Sequence, residues 1–464
     1  MKKRTIIKIN PKIFKAYDIR GIYPNEINEV VAEIIGKAFV KFLPGKNKKN
    51  LNIIISRDNR LSSFSLYQAI KKGILSQGAN VIDIGLSSTP MFYFSVWKFN
   101  YDGGIQITAS HNPSEYNGFK IVKKGGRILG ENSGLKKVKK IVLEELEKKE
   151  ELKDKKPFLK GRVKKKNILK DYIKLNLKSL NVKNIKDFKL VIDTGNAVSG
   201  ILIKELKKSL PCKVYHIFSK LDGRFPNHGL DPLDQKNTKE LKKEVKKKKA
   251  NLGMAFDGDG DRIVFVTENG KTISSDYIIS LVSELILKNN PRAKVLYNVC
   301  SSNTIAEVVK ENNGVSIMVK IGHTFVKERM EREKALFAGE SSGHFYFKSH
   351  HFCEAPLLVL FQILKKMAYS GKPISQLIVP FQRRFHSGLI NLEVKDKEKV
   401  QMFLEKKYKK GKISHIDGLR VDFQDWWFNA RPSNTEDILR LVVEAENKDI
   451  MRKKLREIRK VIKN

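Results

Sequence analysis

LNIIISRDNR (residues 51–60) is an apolar run that ends in polar residues, and SLYQAIKKGILSQGA (65–79) behind it carries apolar residues at helical spacing. A strand followed by a helix is the unit from which helix-covered sheets are built. The same layout returns at FKLVIDTGNA (188–197) and at AKVLYNVCSS (293–302), the latter followed by the helix-like SNTIAEVVKENNG (302–314). The recurrence predicts an α/β protein with three related α/β domains in a row, their sheets parallel or mixed. The likeness is one of pattern rather than of repeated sequence. The tail differs: strand-like LINLEV (389–394), a turn in HIDGLRVDF (415–423) and a basic helix from about residue 446 read as a smaller C-terminal α+β domain. Boundaries fall in the Lys-rich stretch around 148–166, after IVFVTENG (263–270) and near Pro380. The expected domains are 1–158, 159–271, 272–380 and 381–464.

The 464 residues suffice for three or four domains, and an apolar content of 41% supports packed cores. Cys212, Cys300 and Cys353 are odd in number and far apart, which argues against a disulfide framework and a zinc site and suits a reducing, cytoplasmic setting. The apolar part of MKKRTIIKIN (1–10) is short and broken by Lys8, unlike a signal peptide, and the longest apolar run, APLLVLFQIL (355–364), is too short to span a bilayer. No membrane association is expected. The net charge is +41. Its runs, such as KKVKKIVLEELEKKEELKDKKP and KELKKEVKKKKAN, mix signs at helical spacing and interleave no aromatics for base stacking, so they read as solvated faces rather than a dedicated nucleic-acid surface. The positive field can still attract small anionic substrates.

Four loops carry chemistry. In MAFDGDGDRIVFV (254–266), Asp257, Asp259 and Asp261 alternate with glycines between apolar runs, and Arg262 follows. Glycines allow a tight turn that brings three carboxylates to one point, which suits a hard cation such as magnesium, while an arginine can clamp a phosphoryl group. A plain acidic hairpin needs one Asp-Gly pair, and this loop has two and a third Asp. A strand followed by Asp-x-Asp also opens the nucleophile motif of haloacid-dehalogenase-type phosphatases, but the residues after it here, Gly260, Asp261 and Arg262, fit that motif poorly. ALFAGESSGHFYFK (335–348) places Glu340, Ser342 and His344 between glycines, in a loop able to expose all three to sugar hydroxyls. RPSNTED (431–437) offers Arg431, Ser433, Asn434 and Thr435 ahead of ILRLVVEA, which is expected to be a helix, so that its start would form an anion site. Capping alone would explain all but Arg431. VKIGHTFVKERM (319–330) puts His323 before a helix, where it could shuttle a proton, whereas His350 and His351 read as structural. TASHNPSEYNGFK (108–120) presents Ser110 in a polar loop that alone does not distinguish a nucleophile from an ordinary serine.

Taken together with FKAYDIRG (14–21), SRDNRLSS (56–63), GLSSTPMFYF (85–94) and DGRFPNHGLDP (222–232), these motifs resemble the α-D-phosphohexomutase family, and within it the phosphomannomutase/phosphoglucomutase branch, over most of the chain. The resemblance implies four domains around a central cleft and interconversion of hexose 1-phosphate and hexose 6-phosphate, of mannose and/or glucose, through a phosphoserine and a 1,6-bisphosphate. Ser110 matches the phosphoserine. It and Asp257, Asp259 and Asp261 match the ligands of one Mg2+, and Arg262 matches a residue at the same phosphate. Glu340 and Ser342 match sugar-hydroxyl readers, and Arg431, Ser433, Asn434 and Thr435 match the site of the non-reacting phosphate. Lys120, His323 and His344 match positions near the transferred proton, with Lys120 and His323 the candidate bases and Lys120 alternatively shared with Arg20 in assisting the serine oxygen; Arg20 matches a basic residue beside the serine. Tyr17 and His111 fall within matched motifs and are taken as substrate-binding. Glucose or mannose 1,6-bisphosphate is expected as activator and intermediate, and the protein as a monomer or dimer. Phosphoglucosamine mutase is the rival within the family; YNGFK and SNTE, in place of DNGIK- and SGTE-type sequences, favour mannose or glucose. A metal-dependent sugar-phosphate phosphatase is the rival outside it. Ile321, Cys300 and Ser56 depart from the Thr, Lys and Gly usual in the family; the first two bear on sugar preference.

Overall fold

The computed structural model describes residues 9–45, 48, 50–151, 161–180, 185–433 and 438–463. The chain forms two compact units, one of Met1–Thr272 with Cys353–Pro373, the other of Ile273–Phe352 with Ile374–Asn464.

The first unit opens with β1 (Ile19–Ile22), α1 (Glu29–Phe42), β2 (Asn52–Arg57), α2 (Ser63–Ser76), β3 (Asn80–Leu86), α3 (Thr89–Lys98), β4 (Gly103–Ile107), β5 (Tyr116–Lys123), β6 (Arg127–Ile128), α4 (Lys136–Glu151) and β7 (Val163–Lys165). Their strands lie in the order β1–β5–β4–β2–β3–β7, with β6 on β5. α1 begins where the sequence supplies a cap: the Asn28 side chain accepts the N–H groups of Val30 and Val31, both at 3.1 Å. Its buried Val31, Ile34, Ile35 and Phe39 join Ile53, Ile55, Ile105 and Phe119 of the sheet in one core. After α5 (Leu169–Leu177) come β8 (Lys189–Asp193), α6 (Ser199–Leu206), β9 (Lys213–Ile217), α7 (Lys239–Lys248), β10 (Leu252–Phe256) and β11 (Ile263–Thr267), a second sheet in the order β11–β10–β8–β9.

The second unit starts with α8 (Ser275–Asn289), β12 (Lys294–Asn298), α9 (Thr304–Glu311), β13 (Val315–Val319), α10 (His323–Glu333), β14 (Phe337–Gly339) and β15 (Phe345–Phe347), the strands running β13–β12–β14–β15. The following segment, with β16 (Cys353–Glu354) and α11 (Pro356–Ser370), belongs to the first unit. The second resumes with α12 (Ile374–Leu377), β17 (Phe385–His386), β18 (Ile390–Glu393), α13 (Lys397–Lys407), β19 (Lys412–Ser414), β20 (Leu419–Asp422), β21 (Trp426–Pro432), β22 (Ile438–Ala445) and α14 (Lys448–Lys463). This last sheet runs β17–β22–β21–β20–β19, with β18 on β22.

The sequence recurrence is a recurrence of topology. β2, β8 and β12 each have two parallel neighbours, and the second of these, β4, β10 or β14, pairs antiparallel with the next strand in the chain. Each hairpin loop carries one of the motifs: residues 108–115, 257–262 and 340–344. The fourth motif also lies between antiparallel strands, β21 and β22. ILRLVVEA is therefore a strand, not the expected helix, and the Arg431 loop is not a helix start. The reason is two-sided burial: Leu439, Leu441 and Val443 enter one apolar cluster, while Val442 joins Val299, Cys300 and Trp427 in another. A period of two with β-branched residues outweighs capping residues ahead of it. The acidic motif is likewise both a hairpin turn and a carboxylate cluster, two readings the sequence sets against each other.

Among the described residues no helix is long and apolar enough to cross a membrane. α1 and α2 cross in close contact: a Cβ added at Gly73 would lie 2.1 Å from the carbonyl oxygen of Glu33. Gly73→Ala is expected to force the helices apart and to lower stability by about 1–3 kcal/mol, the usual cost of overpacking. Urea unfolding with an unchanged midpoint would contradict this packing.

Candidate active site

Ser110 sits at the turn of the β4–β5 hairpin with φ +50°, a left-handed conformation uncommon for a serine. Its amide donates to Thr108 Oγ1 at 3.0 Å, and its hydroxyl, buried, donates to Asp257 Oδ2 at 2.7 Å. His111 Nδ1 lies 3.3 Å from the same hydroxyl. The approach of the two hairpins is close enough to require glycine: a Cβ at Gly258 would lie 2.3 Å from the Ser110 carbonyl oxygen.

Asp257, Asp259 and Asp261 are all buried, and one carboxylate oxygen from each lies within 4.8 Å of the others. Lys120, projecting from β5, donates to Asp259 Oδ2 at 2.7 Å and to Asp261 Oδ2 at 2.5 Å. Thr89, the first residue of α3, holds Asp259 twice, its amide on the carbonyl at 2.8 Å and its hydroxyl on Oδ2 at 2.6 Å. The Arg262 amide donates to Asp257 Oδ1 at 3.2 Å, and its guanidinium lies 3.8 Å from Asp231. Burial, then the like charges of Asp261 and Asp259, push the Asp257 carboxyl well above its usual range. Burial alone would lower the Lys120 ammonium, but Asp259 and Asp261 override it and raise it. Lys120 is thus held in its charged form.

The donor set fits a hard divalent cation. It is all carboxylate, and among the described residues the buried Asp259 Oδ1 has no hydrogen-bond partner. Arg20, expected beside the serine, donates to Asn112 Oδ1 of the serine loop at 2.6 Å and pairs with Asp18. Tyr17 is partly exposed just ahead of β1.

In the second unit His323 begins α10 and is buried, with the His344 ring 6.3 Å away. Of the three polar residues that the β14–β15 loop was expected to expose, Ser342 is half-buried and the other two are buried. Glu340 is 2% exposed and His344 6%. The Glu340 carboxylate accepts the Tyr346 hydroxyl on one oxygen and the Gly322 amide at 3.1 Å on the other. Ser342 Oγ lies 2.8 Å from His344 Nδ1. A short glycine-bounded loop between two buried strands turns its carboxylate inward, because only there does it find donors. Asp417 Oδ2 accepts the adjacent Ile321 amide at 3.1 Å and lies 3.8 Å from Arg431 Nε, so two carboxylates hold consecutive amides ahead of His323. Ser433 is buried, its amide bonded to the Ile438 carbonyl at 2.9 Å. Asn434 and Thr435 lie outside the described residues. Two of the departures have local partners: the buried Ser56 donates to Gln106 on the neighbouring β4, and Cys300 Sγ lies 3.4 Å from Asn429 Oδ1.

Sequence reasoning gave no role to Thr89, Asp231 or Asp417, nor to Arg60, whose side chain is wholly buried under the serine loop. Their signals were faint: a Ser-Thr-Pro at a helix start, an Asp after Gly-Leu, an Asp-Gly turn and a second arginine in RDNR.

A serine hydroxyl aimed at a buried set of oxygen ligands is an arrangement suited to phosphoryl transfer. Four domain families of one enzyme group match in succession: phosphoglucomutase/phosphomannomutase alpha/beta/alpha domain I at residues 11–149, domain II at 170–270, domain III at 274–384 and the C-terminal domain at 389–461. The chain is 36% identical over 460 residues to a phosphomannomutase of Vibrio cholerae, covering 97% of this chain and 98% of that one. It is 37% identical over 450 residues to a phosphomannomutase of Methanocaldococcus jannaschii, covering 97% of each. A solved phosphoglucomutase/phosphomannomutase family protein from Burkholderia thailandensis superposes with a TM-score of 0.86 at 30% identity, over 98% of both chains. The chain belongs to the phosphoglucomutase/phosphomannomutase family and is a phosphohexomutase-type enzyme.

The charge balance around Asp259 has a measurable consequence. Lys120→Met leaves the buried carboxylates without their ammonium and is expected to cost about 3–5 kcal/mol in metal-free buffer. Millimolar Mg2+ should raise the melting temperature of this variant more than that of the parent protein. Equal shifts would show that the cluster does not take the ion.

Proposed function

We propose that the chain interconverts the 1-phosphates and 6-phosphates of mannose and/or glucose through a phosphoserine at Ser110 and a hexose 1,6-bisphosphate. The observation that carries this reading is the Ser110 hydroxyl 2.7 Å from Asp257, within a loop that also presents Asp259 and Asp261. Those three carboxylates would hold Mg2+, which when bound supplies positive charge to the oxygens of the phosphoryl group.

In the forward transfer the bond from phosphorus to Ser110 Oγ breaks and a bond to the sugar 6-oxygen forms. The 6-hydroxyl proton passes to a base, and the serine oxygen regains a proton. Lys120, bonded to Asp259 and Asp261, is proposed to assist the serine oxygen. His323 is proposed as the base, with His344 near it. Arg262 and Arg20 supply cationic side chains on the serine side. Glu340 and Ser342 are proposed to read sugar hydroxyls, which for Glu340 means exchanging the Tyr346 hydroxyl for one of the sugar. Arg431 and Ser433, with Asn434 and Thr435, are proposed to bind the phosphate that does not react, and Tyr17 and His111 to contact substrate. After the bisphosphate turns over, its other phosphoryl group returns to Ser110.

Incubation of mannose 1-phosphate or glucose 1-phosphate with Mg2+ and a trace of 1,6-bisphosphate is expected to give the 6-phosphate. The protein should carry about 80 Da of additional mass on Ser110. Ser110→Ala should abolish both. Free phosphate without the isomer would instead indicate the phosphatase, and a faster rate on glucosamine 1-phosphate would indicate the phosphoglucosamine mutase.

A further inference from the structure

Arg60 lies between β2 and α2, and its side chain is fully buried. It has five guanidinium N–H groups, and each has an acceptor. Nε donates to Asp58 Oδ2 at 3.1 Å. Nη1 donates to the carbonyls of Pro113 at 2.5 Å and Tyr116 at 3.1 Å. Nη2 donates to the carbonyls of Ser110 at 2.9 Å and Asn112 at 2.7 Å. Four of the five acceptors are thus backbone oxygens of one seven-residue stretch that begins at the reacting serine. The Phe225 ring covers the guanidinium, its centroid 5.3 Å from Cζ. Asp58 is itself fixed, accepting the Arg60 amide at 3.0 Å and the Ser63 hydroxyl on Oδ1.

We propose that Arg60 is a positioning residue for phosphoryl transfer: its guanidinium fixes the backbone of the serine loop so that Ser110 Oγ stays aimed at the acidic loop. The inference rests on the mutase reading of Ser110. A left-handed serine relaxes toward ordinary backbone angles unless its neighbours over-determine it. Here the Ser110 carbonyl is trapped between Arg60 Nη2 and the Cα of Gly258, where no Cβ fits. Rotation of that peptide would swing the hydroxyl off Asp257. Only a guanidinium offers five donors in a planar fork; the three donors of a lysine converge on a point and cannot span carbonyls 110, 112, 113 and 116. Arg60 touches neither the reacting oxygen nor the carboxylates proposed for the metal, so its effect is on the geometry of transfer rather than on the groups that transfer.

The test follows phosphoryl uptake from glucose 1,6-bisphosphate onto dephosphorylated protein, read by intact mass, in the parent protein, Arg60→Lys, Arg60→Ala and Phe225→Leu. At matched folded fraction, Arg60→Lys is expected to slow uptake and kcat roughly 100-fold, the cost of displacing a reacting group by about 1 Å, with KM little changed. Guanidinium ion should restore part of the rate in Arg60→Ala. Phe225→Leu, which keeps the guanidinium but removes its cover, should lose several-fold and serves if the Arg60 variants do not fold. Parental uptake by folded Arg60→Lys, or by Phe225→Leu where the Arg60 variants do not fold, would overturn the proposal. So would a loss in folded Arg60→Ala that guanidinium leaves untouched. If the parent protein itself takes up no phosphoryl group, the mutase reading fails first, and this inference falls with it.

Discussion

Three carboxylates buried at one hairpin turn are the constraint on which the first unit depends. Isolated buried charge is costly, and the protein meets the cost locally. Lys120 bonds to Asp259 and Asp261, the Ser110 hydroxyl bonds to Asp257, and Thr89 holds Asp259 through both its amide and its hydroxyl. Each partner comes from a different element of the first α/β layer: β5, the β4–β5 turn and the start of α3. The two sheets of this unit are therefore joined through the charges of the site, and what stabilises the junction also aims the serine. A cation that binds there relieves the same repulsion that the fold otherwise leaves to one ammonium.

The recurring topology explains where chemistry settles. In each α/β sheet a central strand has parallel neighbours on both sides and the chain then turns back in an antiparallel hairpin. That turn lies beyond the carboxyl end of a parallel strand, the region where open α/β sheets gather ligands. The serine, the carboxylates and the Glu340 loop occupy this one position in three successive copies, and the Arg431 loop occupies the hairpin of a differently built sheet. A short turn braced by two buried strands holds a side chain more firmly than a long loop does.

Much of this was legible in the sequence. The strand-then-helix runs at 51–60, 188–197 and 293–302 named the three sheets, and the alternation of Asp257, Asp259 and Asp261 with glycine named the carboxylate cluster before any geometry. What escaped was set by long-range partners. ILRLVVEA follows capping residues and would pass for a helix, until Val442 and Leu441 are seen packed on opposite faces. Glu340 looked free to meet a sugar because nothing in a linear reading places Tyr346 and the Gly322 amide around it. The two carboxylate partners of Lys120 lie 139 and 141 residues away, beyond the reach of a linear reading. Arg60 is the extreme case: a motif arginine whose five acceptors include four carbonyls that lie 50 to 56 residues on.

The central claim is that Ser110 carries a phosphoryl group destined for a sugar and not for water. The most direct measurement is a single turnover with protein radiolabelled on Ser110, mixed with unlabelled glucose or mannose 1-phosphate. The account predicts that the label leaves the protein as hexose bisphosphate and hexose 6-phosphate. Label recovered as inorganic phosphate, at the rate seen without sugar, would contradict it.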